Sequence, residues 1–224
     1  MSTIYRIQIL FLTLLFPLLC LGQEMKSSGT SAEAIVPEGW THAEATGDLN
    51  KDGIADLAIV VRSDLQELYV TDDDGEKYNQ NPTSLYLYKG GPDGQFQLWK
   101  IYKESIPFSD SNNMYIDYDV SISDKGALTI GTSISFSAGS WGNYNDSYVF
   151  RYQQGEFCLI GEEHDELARN TGKVTHTSIN YLTHKKWVSH SNAFEEDSVE
   201  KKVWKKIPNA PLRILGKDIK MLGE

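Results

Sequence analysis

Oxygen-bearing side chains fall at every second position of Asp48-Leu49-Asn50-Lys51-Asp52, and a further carboxylate, Asp56, follows Gly53-Ile54-Ala55. This is the chemistry of a hard divalent cation. Calcium takes about six to eight oxygen ligands, and a tightly curved loop aims alternate residues inward. Asp48, Asn50, Asp52 and Asp56 offer side-chain oxygens, the Ile54 carbonyl fills the gap in the series, and Gly53 stands where the backbone must turn sharply. Ca²⁺ is therefore the expected cofactor. Its expected role is structural, because ligands confined to one short loop leave few positions for a substrate and no base adjoins them in sequence.

Other chemistry has weaker support. His42, His164, His176, His184 and His190 show no zinc spacing, and the chain has neither a Gly-x-Ser-x-Gly elbow nor a phosphate-binding glycine loop. His164, inside Glu162-Glu163-His164-Asp165-Glu166, reads as a surface histidine. Asp117 and Asp119 alternate around Tyr118, a spacing open both to acid–base work on sugars and to a solvent-facing strand. Asp72-Asp73-Asp74-Gly75-Glu76 reads as a solvated charge run rather than a second cation loop. The stretch Ser137–Asp146 combines glycines and serines with Trp141 and Tyr144, and is the candidate recognition surface. Those two aromatics can equally fold back and plug the end of a sheet.

The elements that must hold these residues are strands. Period-two alternation with β-branched and aromatic residues marks strands at 40–46, 56–62, 85–89, 95–102, 115–121, 127–136, 146–153, 156–161, 175–182, 186–190 and 199–207. Gly90-Gly91-Pro92-Asp93-Gly94, Asp124-Lys125-Gly126 and Gln153-Gln154-Gly155 punctuate them as turns, and residues 162–170 allow one short helical turn. The calcium loop is no EF-hand, since its twelfth position is Ile59 rather than a bidentate Glu and an apolar run follows. It reads as a hairpin connection. Residues Trp40 to Val61 resemble the FG-GAP/VCBS repeats of integrin-like β-propellers, in which a Gly-Asp-x-Asn-x-Asp-Gly-x-x-Asp-Leu loop joins the first two strands of a blade. The hairpin pair Leu85–Tyr88 and Gly94–Leu98 recurs weakly as Tyr148–Arg151 and Gly155–Leu159. The expected architecture is thus all-β, with antiparallel meanders in blade-like four-stranded units at 40–103 and 115–161 and C-terminal strands at 172–215. A closed propeller typically needs about four or more blades, so an incomplete propeller or a stacked-sheet sandwich fits this length better.

Composition and termini set the expected compartment. Residues 1–22 carry one arginine ahead of an apolar run and read as a removable signal peptide, with 23–37 as a flexible lead-in and 38–224 as one domain. A lipid anchor on Cys20 is disfavoured because Leu19 is too large for that cleavage site. The mature chain would keep Cys158 alone, read as a buried inert thiol. A formal net charge of −10 argues against nucleic acid or anionic membranes as partners. These features together describe a secreted, periplasmic or cell-surface calcium-binding module whose partner is an extracellular protein or glycan. The alternative is a carbohydrate-binding or carbohydrate-active protein using Asp117 and Asp119.

Overall fold

Strand β3 (Asp56–Arg62) is apolar from Leu57 to Val61, between its two charged ends, because both its faces are covered. Ala58 and Val60 point to one side and Leu57, Ile59 and Val61 to the other, and each set enters a different buried cluster. The computed structural model describes residues 23–109, 111–195, 198 and 201–223, so the expected signal peptide at 1–22 lies outside the described residues.

The first sheet comprises β1 (Ser28–Gly29), β2 (Thr41–Gly47), β3, β6 (Thr83–Gly90) and β7 (Phe96–Ile106), in the order β1-β7-β6-β3-β2. A short helix, α1 (Ala32–Ile35), lies on its outer face, and a separate hairpin, β4 (Tyr69–Thr71) with β5 (Lys77–Asn79), fills the long connection before β6. The second sheet runs β8 (Met114–Ile122), β9 (Ala127–Phe136), β10 (Gly142–Gln153), β11 (Glu156–Ala168), β12 (Lys173–Asn180), β13 (Lys185–Asn192) and β14 (Val203–Lys206), each antiparallel to the next. The fold is all-β, with antiparallel sheets packed as a sandwich, one of them curled.

The core between the sheets takes Leu85 and Leu87 from β6, Tyr102 and Ile106 from β7, and Leu128, Ile130, Phe150, Phe157 and Leu159 from the second sheet. Trp99 of the first sheet meets Tyr152 and Phe157 of the second edge-on, with ring centroids 4.7 Å and 5.3 Å apart. Such pairs add about 0.5–1.5 kcal/mol beyond area burial. The C-terminal segment closes the open side: Leu159 N–H donates to the Arg213 carbonyl, Leu215 N–H to Phe157, and Leu222 N–H to Ser105. Leu215, Ile219 and Leu222 are thereby buried in the same core.

Three expectations change. Residues 23–37 are not a free lead-in throughout: Ser28 and Gly29 pair with Gln97 and Phe96, and Ser31 caps α1 through the Ala34 N–H. Ala32, Ile35 and Val36 are buried against Leu57, Ile59 and Val61, which is how so polar a segment is held. The boundary expected between unit 115–161 and the strands at 172–215 does not exist, because β8 to β14 form one seven-stranded sheet. The short helical turn expected at 162–170 is instead the second half of β11, paired residue by residue with both β10 and β12. Cross-strand partners on two sides outweigh local helix propensity.

Candidate functional site

Gly47 pairs with Asp56, so residues 48–55 are the hairpin connection between β2 and β3. Left-handed backbone at Lys51 (φ 66°) and Gly53 (φ 87°) curls the loop inward. Its side chains cap its own N–H groups. Asp48 accepts from the amides of Lys51 (2.6 Å), Asp52 (3.2 Å) and Gly53 (2.9 Å), Asn50 Oδ1 from Asp52 (2.9 Å), and Asp52 Oδ1 from Ile54 (2.9 Å). The Ile54 amide, helped by Asn50, holds the exposed Asp52 carboxyl below its ordinary range. Asp56 closes the base, fully buried, accepting from Leu49 N–H at 3.0 Å and Gly90 N–H at 3.1 Å. Burial pushes its pKa up, and the amides of Gly90, Leu49 and Asn50 offset only part of that. The Ala55 carbonyl packs so close to Gly90 that an added Cβ would sit 1.9 Å from it, so only glycine fits there.

The loop also joins the two sheets. Lys51 Nζ donates to the Asp124 carbonyl at 3.2 Å, and a Cβ at Gly126 would sit 2.4 Å from the Asp48 carbonyl. The turn Ser123–Ala127, which connects β8 to β9, therefore rests on the loop. In donor chemistry the loop offers what calcium takes, three carboxylates, an amide oxygen and a main-chain carbonyl, although Asp48 Oδ1 already accepts two amides and a free lone pair remains only on Asp48 Oδ2 and on the oxygens of Asp52 and Asp56. Among the described residues, however, no group of three or more His, Cys, Asp or Glu side chains gathers as a metal site.

The recognition candidates separate. Trp141 is 66% exposed and does not plug the sheet. It is held rather than loose: Arg169 N–H donates to the Trp141 carbonyl, while the Arg169 guanidinium lies 5.9 Å from the indole and donates to the Phe136 and Ser140 carbonyls. Tyr144 is not in a loop. It belongs to β10, opposite Ile134 and Glu166, half-buried with its hydroxyl over Gly142. Asp117 and Asp119 are exposed positions on β8, flanking the half-buried Tyr118. Asp72 caps its own turn, accepting from the amides of Asp74 and Glu76. Cys158 is a buried free thiol.

The cluster that sequence reasoning missed lies on the inner face of the large sheet, beside the core. His164 is no simple surface residue: Nδ1 lies 2.9 Å from Asp146 and Nε2 3.2 Å from Glu162. Hydrogen bonds to these two carboxylates, Asp146 first, raise its pKa to about 9. Glu162 is 6% exposed and also pairs closely with Arg213. Burial alone would raise its pKa, but the bonds from His164 and Tyr181 and the Arg213 charge bring it below the usual carboxylate value. Both ring nitrogens of His164 are thus engaged as donors at neutral pH, so the ring has no lone pair for general-base work. The cluster ties β10, β11 and the C-terminal segment together.

Among the described residues no helix is long and apolar enough to cross a membrane. Comparison with protein-family models, with curated proteins and with solved structures finds no match.

Proposed function

We propose that this chain is an exported, calcium-stabilised binding module, in which Ca²⁺ fixes the joint between the sheets and an exposed face meets an extracellular protein or glycan. The observation that carries the reading is Asp56, a fully buried carboxylate at the base of an oxygen-rich loop, compensated by main-chain amides alone. A cation bound through Asp48, Asn50, Asp52, the Ile54 carbonyl and Asp56 would supply the missing charge. The resemblance of residues 40–61 to an FG-GAP/VCBS loop supports the same reading. Bound calcium would do no chemistry on a substrate; it would stiffen the β2–β3 connection and, through Lys51 and Gly126, the β8–β9 turn. The exposed indole of Trp141, backed by Arg169, is the anchor the reading assigns to the partner.

Calorimetry on the chain from Gln23 onward tests the metal. Extracellular calcium modules bind with Kd on the order of 10⁻⁴–10⁻³ M, and a saturable heat in that range is expected. The Asp48→Ala/Asp52→Ala double variant should give none. No heat from the parent protein, or equal heat from both, contradicts the reading.

A further inference from the structure

After β14 the chain returns as a strap, Ile207-Pro208-Asn209-Ala210-Pro211-Leu212-Arg213, that lines one crevice together with Leu159, Ile179 and Lys186 of the large sheet. It is tied down at its ends: Ile207 N–H donates to the His184 carbonyl, and the Arg213 carbonyl accepts from Leu159 N–H. Two prolines fix the backbone between these points and carry no N–H to give the sheet. Beneath the strap lies a crevice of about 310 Å³. Leu159 and Ile179 of the sheet form one wall, and Ile207, Pro211 and Leu212 of the strap form the other.

The polar groups at this crevice share one character. Arg213, Lys186 and His184 line it with Tyr181, and among the described residues no acidic side chain does. That is notable on a chain whose formal net charge is −10. Register explains how they converge, because Glu162 of β11, Ile179 of β12 and Lys186 of β13 are successive cross-strand partners. Glu162 lies just behind, already paired with Arg213 and His164. The Arg213 side chain is nevertheless 41% exposed, and a guanidinium has five donors, more than Glu162 can use.

From this pairing of apolar walls with cationic groups we infer that the crevice under the strap binds a small organic acid, its hydrocarbon body against Leu159, Ile179 and Leu212 and its carboxylate toward Lys186 and Arg213. The volume stands at the small end of ligand pockets, about 300–1,000 Å³, which selects a short alkyl chain or a single aromatic ring. The site is separate from the loop proposed to bind calcium and does not depend on that reading.

The test is calorimetry of the chain from Gln23 onward with octanoate and 3-phenylpropionate, and with octanol and octyltrimethylammonium as neutral and cationic counterparts. Saturable binding of at least one acid is expected, at least tenfold tighter than either counterpart. Arg213→Ala would strand the buried Glu162, so the informative variants are Lys186→Glu, which reverses charge at the rim, and Ala210→Phe, which adds bulk to the strap. Each should weaken the acid at least tenfold, with the circular dichroism spectrum unchanged. No saturable binding of either acid, equal affinity for octanol, or an affinity indifferent to both variants would overturn the inference and leave the crevice a gap under a loop.

Discussion

Two buried carboxylates, Asp56 of the first sheet and Glu162 of the second, are compensated by opposite means. Asp56 is surrounded by neutral dipoles, the amides of Leu49, Asn50 and Gly90, and its pKa is pushed up. Glu162 is met by two cationic side chains, His164 and Arg213, and its pKa is drawn down despite similar burial. Here main-chain amides offset only part of the desolvation of Asp56, whereas the bonds from His164 and Tyr181 and the charge of Arg213 outweigh that of Glu162. The inner-face cluster is thus complete as the chain folds. The β2–β3 loop carries a charge it does not fully compensate, which is why a cation is the proposed missing component there.

Removing one partner from the completed cluster should have the largest effect. Glu162→Ala would leave His164 and Arg213 facing each other with one carboxylate fewer. Breaking a fully buried pair costs about 3–5 kcal/mol. Both cationic heads here reach solvent, so about 2–3 kcal/mol is expected, read as a lowered midpoint in urea. An unchanged midpoint would mean that the cluster is decorative and that the contrast with Asp56 fails.

The pH dependence should follow His164. Its folded pKa, about 9, lies above the ordinary 6.5, so the folded state holds this proton more tightly than the unfolded state. The stabilisation is fully present below about 6.5 and fades as pH rises through about 9. The imidazole proton resonances should titrate with a midpoint near 9, and Asp146→Asn should lower that midpoint. A midpoint at the ordinary value would remove the charge-assisted bonds from the account. Glu162 has the opposite sign: its stabilisation is present above the ordinary carboxylate range and is lost as pH falls through its depressed folded value.

The smallest effect on stability is expected at Trp141. An exposed side chain outside the core should change stability by no more than about 0.5 kcal/mol when truncated. If Trp141 anchors a partner, Trp141→Ala should still weaken capture on a glycan array or by a binding protein about thirtyfold, the equivalent of about 2 kcal/mol. A destabilised variant that binds as before would make the indole a structural element.

The two regions also differ in how far the sequence exposes them. The β2–β3 loop is contiguous, and its alternating oxygens and following apolar run are legible at once: the strand at 56–62 and the strand at 127–136 have the expected bounds. The inner-face cluster is assembled across the chain. Counting outward from the Gln153–Glu156 pair of the β10–β11 hairpin would set Asp146 opposite Glu163. A bulge after Val149 shifts the register by one and sets Asp146 opposite His164, on the same face as Glu162. No residue pattern announces that bulge, and Arg213 lies 51 residues from the carboxylate it pairs with. Helix α1 was hidden for another reason. A single turn is too short to form alone, and it is held by the apolar face of β3 with Tyr88 of β6 and by bonds from Lys26 to the Ala34 and Ile35 carbonyls.

The proposal that calcium completes the loop is tested most directly by thermal unfolding of the chain from Gln23 onward in excess calcium and in chelator. Binding to the native state alone stabilises by about 2.7 kcal/mol at a hundredfold excess over Kd. For a domain of this size each kcal/mol moves Tm by about 2–4 °C, so Tm should rise by about 5–10 °C with calcium. The Asp48→Ala/Asp52→Ala variant should melt at the same temperature in both solutions. If chelation leaves the Tm of the parent protein unmoved, or if calcium raises both proteins alike, the loop is not completed by the metal and the account of Asp56 is wrong.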